Sequence, residues 1–170
     1  MKSLFTLATL AAPFAAVLAA GAFHASAGAP AAGGGLAQAE QTTVALADAL
    51  VAAVASISDT VPAGSDPLEI AAASKAVSLL LPPGKKAYRL TDATGDPLDP
   101  KNDPKGTFEV QGLQDLVAGA PLVQQVIGGK LRTLVPLTSD MHPNCMTCHT
   151  NYAGLPSGTV VGAASLAVKF

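Results

Sequence analysis

Cys145, Cys148 and His149 stand together in Cys145-Met146-Thr147-Cys148-His149, the densest chemistry in a chain of 170 residues. The protein's 2 cysteines are both in this segment. Cys-x-x-Cys-His is the pattern of covalent c-type haem attachment. Two residues between the thiols let both sulfurs reach the two vinyl groups on one side of a porphyrin, where they form thioethers. The imidazole that follows is carried beneath the ring and can ligate the iron through Nε2. The expected cofactor is one covalently attached haem c, anchored by Cys145 and Cys148, with His149 as proximal ligand.

Three plainer chemistries use the same residue types. A disulfide between Cys145 and Cys148 closes so small a loop that it constrains little, and it leaves His149 unexplained. A thioredoxin-like redox pair belongs at a helix start after a βαβ strand, whereas this motif follows the turn-forming Thr138-Ser139-Asp140 late in the chain. Zinc needs a fourth ligand, and adjacent ligands at 148 and 149 suit a tetrahedron poorly.

The N-terminus agrees with the haem reading on separate grounds. Lys2, the apolar stretch from Leu4 to Ala22 and the small residues Ala25-Ser26-Ala27 form a secretory signal peptide over residues 1–27, and c-type haem is attached outside the cytoplasm. The expectation is a soluble, periplasmic protein with no membrane contact after cleavage, because charges or Gly and Pro interrupt every later apolar stretch. Once Lys2 is removed, nine basic residues face twelve acidic ones without blocks of either sign. Nucleic acid and anionic membrane surfaces are therefore not expected partners. The 49% hydrophobic content excludes a disordered chain. Three of the five Phe residues lie in the leader, which leaves Tyr88, Phe108, Tyr152 and Phe170 as the aromatic residues. A porphyrin would supply the large apolar plate that such a core lacks.

The elements that must position the motif are legible from periodicity and turn chemistry. After a flexible Ala/Gly/Pro linker at 28–35, a single domain is expected over 36–170. Leu46, Leu50, Val54 and Ile57 mark a helix from Leu36 to Ile57. Asp66-Pro67-Leu68-Glu69 starts a second, running to about Leu81 before Pro82-Pro83-Gly84. A short strand is predicted over Lys86 to Thr91, then a stretch from Asp92 to Gly106 too rich in turn formers for a regular element. Phe108 to Val117 reads as a helix presenting Phe108, Leu113, Leu116 and Val117. Leu122 to Ile127 and Lys130 to Leu137 form a hairpin across Gly128-Gly129, and Thr159 to Val168 is a last strand. Its Gly162, Ala163 and Ala164 fit either close approach to something bulky or plain Ala-rich composition. The fold class is α+β: N-terminal helices, then a mostly antiparallel sheet, with the attachment loop Asp140 to Ser157 before the last strand.

At this point the chain resembles the monohaem c-type domains of PAS-like fold, found as small exported proteins and as sensory parts of bacterial histidine kinases. The resemblance spans about Leu68 to Val168. It rests on the Ala-rich helix at Leu68 to Val77, Arg89-Leu90-Thr91, Asp99-Pro100-Lys101-Asn102-Asp103-Pro104 leading into Phe108-Glu109, Val135-Pro136-Leu137, the Cys145 to His149 motif and the Val161-Gly162-Ala163 to Leu166 ending. Some members place a ligating Cys on the helix matching Leu68 to Val77. Here Ala71-Ala72-Ala73-Ser74 occupy that stretch, so the distal ligand is unknown. Met141 and His142 sit too near the attachment edge to swing to the far face, with His142 read as a surface loop histidine. Lys75 and Tyr88 read as solvated or snorkelling side chains. A five-coordinate or water-bound iron is the expectation.

Two functional classes follow. One is electron transfer or redox sensing by the haem iron, with a redox or signalling partner protein. The other is a haem-based sensor or binder of a small diatomic gas acting through a separate partner. An enzyme is not expected: a peroxidase needs a distal acid/base pair, for which only Arg89 and Arg132 come into question.

Overall fold

The computed structural model describes residues 35–80 and 88–170. The leader, most of the linker, the Pro82-Pro83-Gly84 stop and the first two residues of the predicted first strand lie outside the described residues.

The first helix, α1, runs Leu36–Ser58. Its buried stripe is Ala39, Thr43, Ala47 and Leu50, so one side of the expected apolar face is corrected: Leu46 is 45% exposed. Small residues won because α1 lies directly on the sheet, where a Leu at 43 or 47 would hold the two layers apart. A second correction concerns length. By length and composition α1 is long and apolar enough to cross a membrane, contrary to the expectation that no stretch after the leader would be. Here its stripe packs on β3 and β4.

Helix α2, Pro67–Leu80, begins with a reciprocal cap. Asp66 Oδ1 accepts from the Leu68 and Glu69 amides at 2.7 and 3.0 Å. Glu69 Oε2 accepts from the Asp66 amide at 3.0 Å. Four orphan amides open any helix, and this box satisfies several at once. Strand β1 is Tyr88–Asp92. The turn-rich stretch after it holds one short regular piece that was not expected, a 3-10 turn at Pro100–Asn102 whose Lys101 amide donates to the Asp99 carboxylate at 3.0 Å. Helix α3 is Gly106–Val117, burying Phe108, Glu109, Leu113 and Leu116, while Val117 is exposed.

Strands β2, Val123–Ile127, and β3, Lys130–Thr138, form the hairpin. Gly128 and Gly129 have φ of 57° and 70°, the two left-handed residues a type I′ turn requires. Strand β4 is Val160–Lys169, and the four-stranded sheet has the order β1-β4-β3-β2 with every pair antiparallel. The architecture is α+β, helices first and then an open antiparallel sheet, as predicted.

Alternation along β4 sends its residues to two different cores. Ala163 faces α3 with Phe108, Leu113, Leu116 and Leu134. Ala164 and Leu166 face α1 with Ala47 and Leu50, flanked by Val54, Tyr88, Leu90 and Val135. The small residues of β4 are thus accounted for by helices close on both faces. Gly162 pairs with Asp92, and a Cβ there would run into the Thr91 carbonyl oxygen. The tight neighbour of Gly162 is the backbone of β1.

Candidate functional site

The residues between β3 and β4 form one long loop, and its stem is tied shut by its own side chains. The Ser139 amide donates to the Thr159 carbonyl at 2.8 Å, and the Ser139 hydroxyl to the Pro156 carbonyl at 2.7 Å. Asp140 accepts from the hydroxyls of Thr138 and Ser157, bonds that hold its carboxyl below the usual range. Farther out, Asn151 Nδ2 donates to the Asp96 carbonyl at 2.9 Å and Asn144 Nδ2 to the Ser58 carbonyl at 3.2 Å. His142 Nε2 lies 3.1 Å from Asp59 Oδ1. The loop is therefore attached at its stem, to the turn after β1 and to the end of α1.

Within it, Cys145–Cys148 is a single helical turn, α4. The His149 amide donates back to the Cys145 carbonyl at 2.9 Å, which extends the helical path by one residue. Positions three and four apart share a helix face, so this turn brings Cys145, Cys148 and His149 to one side. Cys145 and His149 line an apolar cavity at the end of the sheet, with about 700 Å³ of space including its mouth. Leu50, Val51 and Val54 of α1, Leu90 of β1, and Val161 and Gly162 of β4 are among the other walls, and Met141 and Met146 also line it.

Burial pushes both thiols upward; at Cys145 the neighbouring Cys148 adds to the effect and a Ser58 hydrogen bond opposes it. Both cysteines are free. Burial pushes His149 downward, against the attraction of the Asp92 carboxylate, so the imidazole is neutral and able to ligate metal at neutral pH. Its Nδ1 is buried with no hydrogen-bond partner, as is Asn151 Oδ1. An unpartnered buried nitrogen, the Cys145 thiol and apolar walls fit a bound haem, and Cys148, in the same turn, stands outside the lining. Among the described residues there is no group of three or more His, Cys, Asp and Glu side chains arranged for a metal ion.

Two residues beside His149 carried no signal in the sequence. Asp92 is 4% exposed. Its Oδ1 accepts from the Thr94 and Gly95 amides, both at 2.8 Å. Its Oδ2 accepts from the Tyr152 hydroxyl at 2.6 Å. The Tyr152 ring is parallel to that of His149 within 1°, centroids 5.2 Å apart. Asp92 reads as a turn former and Tyr152 as a scarce aromatic, and at a separation of 60 positions no local pattern joins them.

The remaining candidates are placed elsewhere. His142 is corrected from a surface histidine to a largely covered one, its side chain 14% exposed and held by Asp59. Tyr88 donates its hydroxyl to the Leu80 carbonyl at 2.7 Å, and Lys75 is exposed. Arg89 and Arg132 both bind Glu109 and neither lines the cavity.

An antiparallel sheet between helices, with an apolar cavity at one end and Cys145 and His149 on its wall, is the build of a haem-binding, sensor-like domain. The Tll0287-like family model, which describes haem c-binding sensor-like domains, matches residues 36–165, and the chain belongs to that family. No curated protein and no solved structure gives a significant match.

Proposed function

We propose that this is an exported, periplasmic haem c protein that carries one electron or reports redox state to a partner protein, with no catalytic turnover of its own. Cys145 and Cys148 would hold the porphyrin as thioethers and His149 would ligate its iron. Bound there, haem supplies a one-electron couple whose potential is set by axial ligation, burial and nearby charge. The protein's part is to orient the imidazole, keep it neutral and exclude water with the α1 and β4 walls. The observation that carries this reading is the turn Cys145–Cys148, which sets Cys145 and His149 on the wall of an apolar cavity with the second thiol, Cys148, in the same turn.

A second reading, a binder of a diatomic gas, is favoured by one observation. The cavity wall contributed by α1 is Leu50, Val51 and Val54, and none of these side chains can ligate iron.

The test is to export the full chain in cells carrying the haem-attachment machinery and record spectra before and after dithionite. A c-type spectrum that survives denaturation is expected, and it should vanish in a Cys145→Ser/Cys148→Ser variant. Haem-free protein with a Cys145–Cys148 disulfide would overturn the reading. Reversible reduction without CO or NO binding selects the electron-transfer form, and tight gas binding selects the second.

A further inference from the structure

Most polar groups near the cavity have an evident structural task, but Asp92 and Tyr152 are arranged around something other than themselves. Asp92 is the last residue of β1 and nearly inaccessible. A buried carboxylate is costly unless its lone pairs are filled. Here they are filled mainly by the Thr94 and Gly95 amides and the Thr94 hydroxyl, at 2.8 to 2.9 Å, which pins the carboxylate to its own turn. The remaining strong bond comes from Tyr152 at 2.6 Å, short enough for a charge-assisted O–H···O⁻ contact. Tyr152 is also held at its other end, its amide donating to the His149 carbonyl at 3.0 Å. A tyrosine held at backbone and hydroxyl has the axis of its ring fixed, which leaves only rotation about that axis, and stacking on the imidazole selects one plane. That plane is the one His149 adopts.

We propose that Asp92 and Tyr152 are positioning residues for His149: the carboxylate fixes where the phenol ring stands, the ring and the imidazole hold a common plane by stacking, and the pair brings a buried negative charge close to the ligand. The inference rests on His149 being the iron ligand. Partners behind a ligating histidine fix its orientation and raise its basicity. Usually such a partner bonds to the free ring nitrogen. In this protein Nδ1 has no such bond, and the stacked ring takes over the orienting task. Offset stacking of this separation is a favourable contact in its own right.

The consequence is electrostatic as well as steric. A fixed negative charge near the ligand favours the more positive, ferric state of the iron. Asp92→Asn should therefore shift the midpoint potential upward, and Asp92→Glu should restore part of it. Tyr152→Phe keeps the ring but releases it from Asp92, and should alter the ferric electron paramagnetic resonance signature, which follows ligand orientation, at unchanged haem content. Wild-type potential in Asp92→Asn together with a wild-type signature in Tyr152→Phe, both with haem retained, would overturn the proposal. If the wild-type chain takes up no haem, the parent reading fails by itself, and the stack is tested in the haem-free protein by NMR. Replacing Tyr152 by Leu should then move the His149 ring-proton resonances by loss of the ring current. Unmoved resonances would refute the positioning role.

Discussion

Thr43 of α1 and Thr133 of β3 meet hydroxyl to hydroxyl at 3.1 Å, both fully buried. Thr133 donates, and Thr43 passes its own proton to the Glu40 carbonyl at 2.9 Å. Gln124 donates to Thr133 from the neighbouring strand at 3.2 Å. This chain sets how α1 sits on the sheet, and Leu50, two turns farther along α1, is both core and cavity wall. Thr43→Val keeps the shape but strands the Thr133 proton, for an expected loss of about 1–3 kcal/mol. The double change Thr43→Val/Thr133→Val should recover most of it, since neither hydroxyl then needs a partner. Urea unfolding of the three variants measures this, and a double variant no better than the single would contradict it.

That contact also marks where sequence reading stopped. The start of α2 was legible because Asp66 and Glu69 act within one turn, and the hairpin because Gly128 and Gly129 carry the backbone angles themselves. The motif at Cys145 to His149 was legible for the same reason, as its spacing is local. The buried stripe of α1 was misjudged because its face is chosen by a sheet some 90 residues later, which accepts Ala39, Thr43 and Ala47 and turns Leu46 outward. The Asp92–Tyr152 contact was invisible because each residue has an adequate local explanation and only the fold joins them.

Glu109 is a buried carboxylate on which four donors converge. It is 1% exposed. Arg89, Arg132, the Ser165 hydroxyl at 2.8 Å and the Lys105 amide at 2.6 Å all converge on it. Arg89 also donates to the carbonyls of Lys101 and Asp103, and so holds the 3-10 turn whose Asn102 lines the cavity. Glu109→Ala leaves that assembly without its anion and should cost about 3–5 kcal/mol. Glu109→Gln, which keeps the shape, should cost less, and both should loosen residues 99–104. Thermal melts together with amide exchange in that segment are the check. A Glu109→Ala melt equal to wild type would count against the role given to this residue.

The thiols offer a chemical test of the haem-free state. Burial raises both, so at neutral pH little thiolate is present and alkylation by iodoacetamide should be slower than for a cysteine in an unfolded peptide, which ionises near 8.5. Cys145, the more buried and the one further burdened by its neighbour, should react after Cys148. Rates should climb as pH rises past the free-cysteine value, and haem-loaded protein should not react at all. Mass spectrometry of peptides covering residues 145–149 gives the order and the rate. Faster alkylation than the unfolded control would show the thiols to be activated instead.

The loop stem responds to acid through Asp140. Its carboxyl is lowered, first by the Ser157 hydrogen bond and then by that from Thr138, so the folded stem favours the ionised form. A carboxyl depressed on folding contributes its stabilisation above its unfolded value, about 3.9, and loses it as pH falls through the lower folded value. The clasp is intact at neutral pH and weakens as pH falls below the ordinary carboxyl range. Because Asp140 is exposed, the effect is local rather than global. Limited proteolysis by pepsin between pH 4.5 and 2 should show cleavage within residues 139–158 rising as pH falls, ahead of the loss of sheet signal. In Asp140→Asn the carboxamide cannot ionise, so the loop should already be more open at pH 4.5 and this rise should flatten. An unchanged profile in Asp140→Asn would mean that the backbone bond from Ser139 to Thr159 closes the stem unaided.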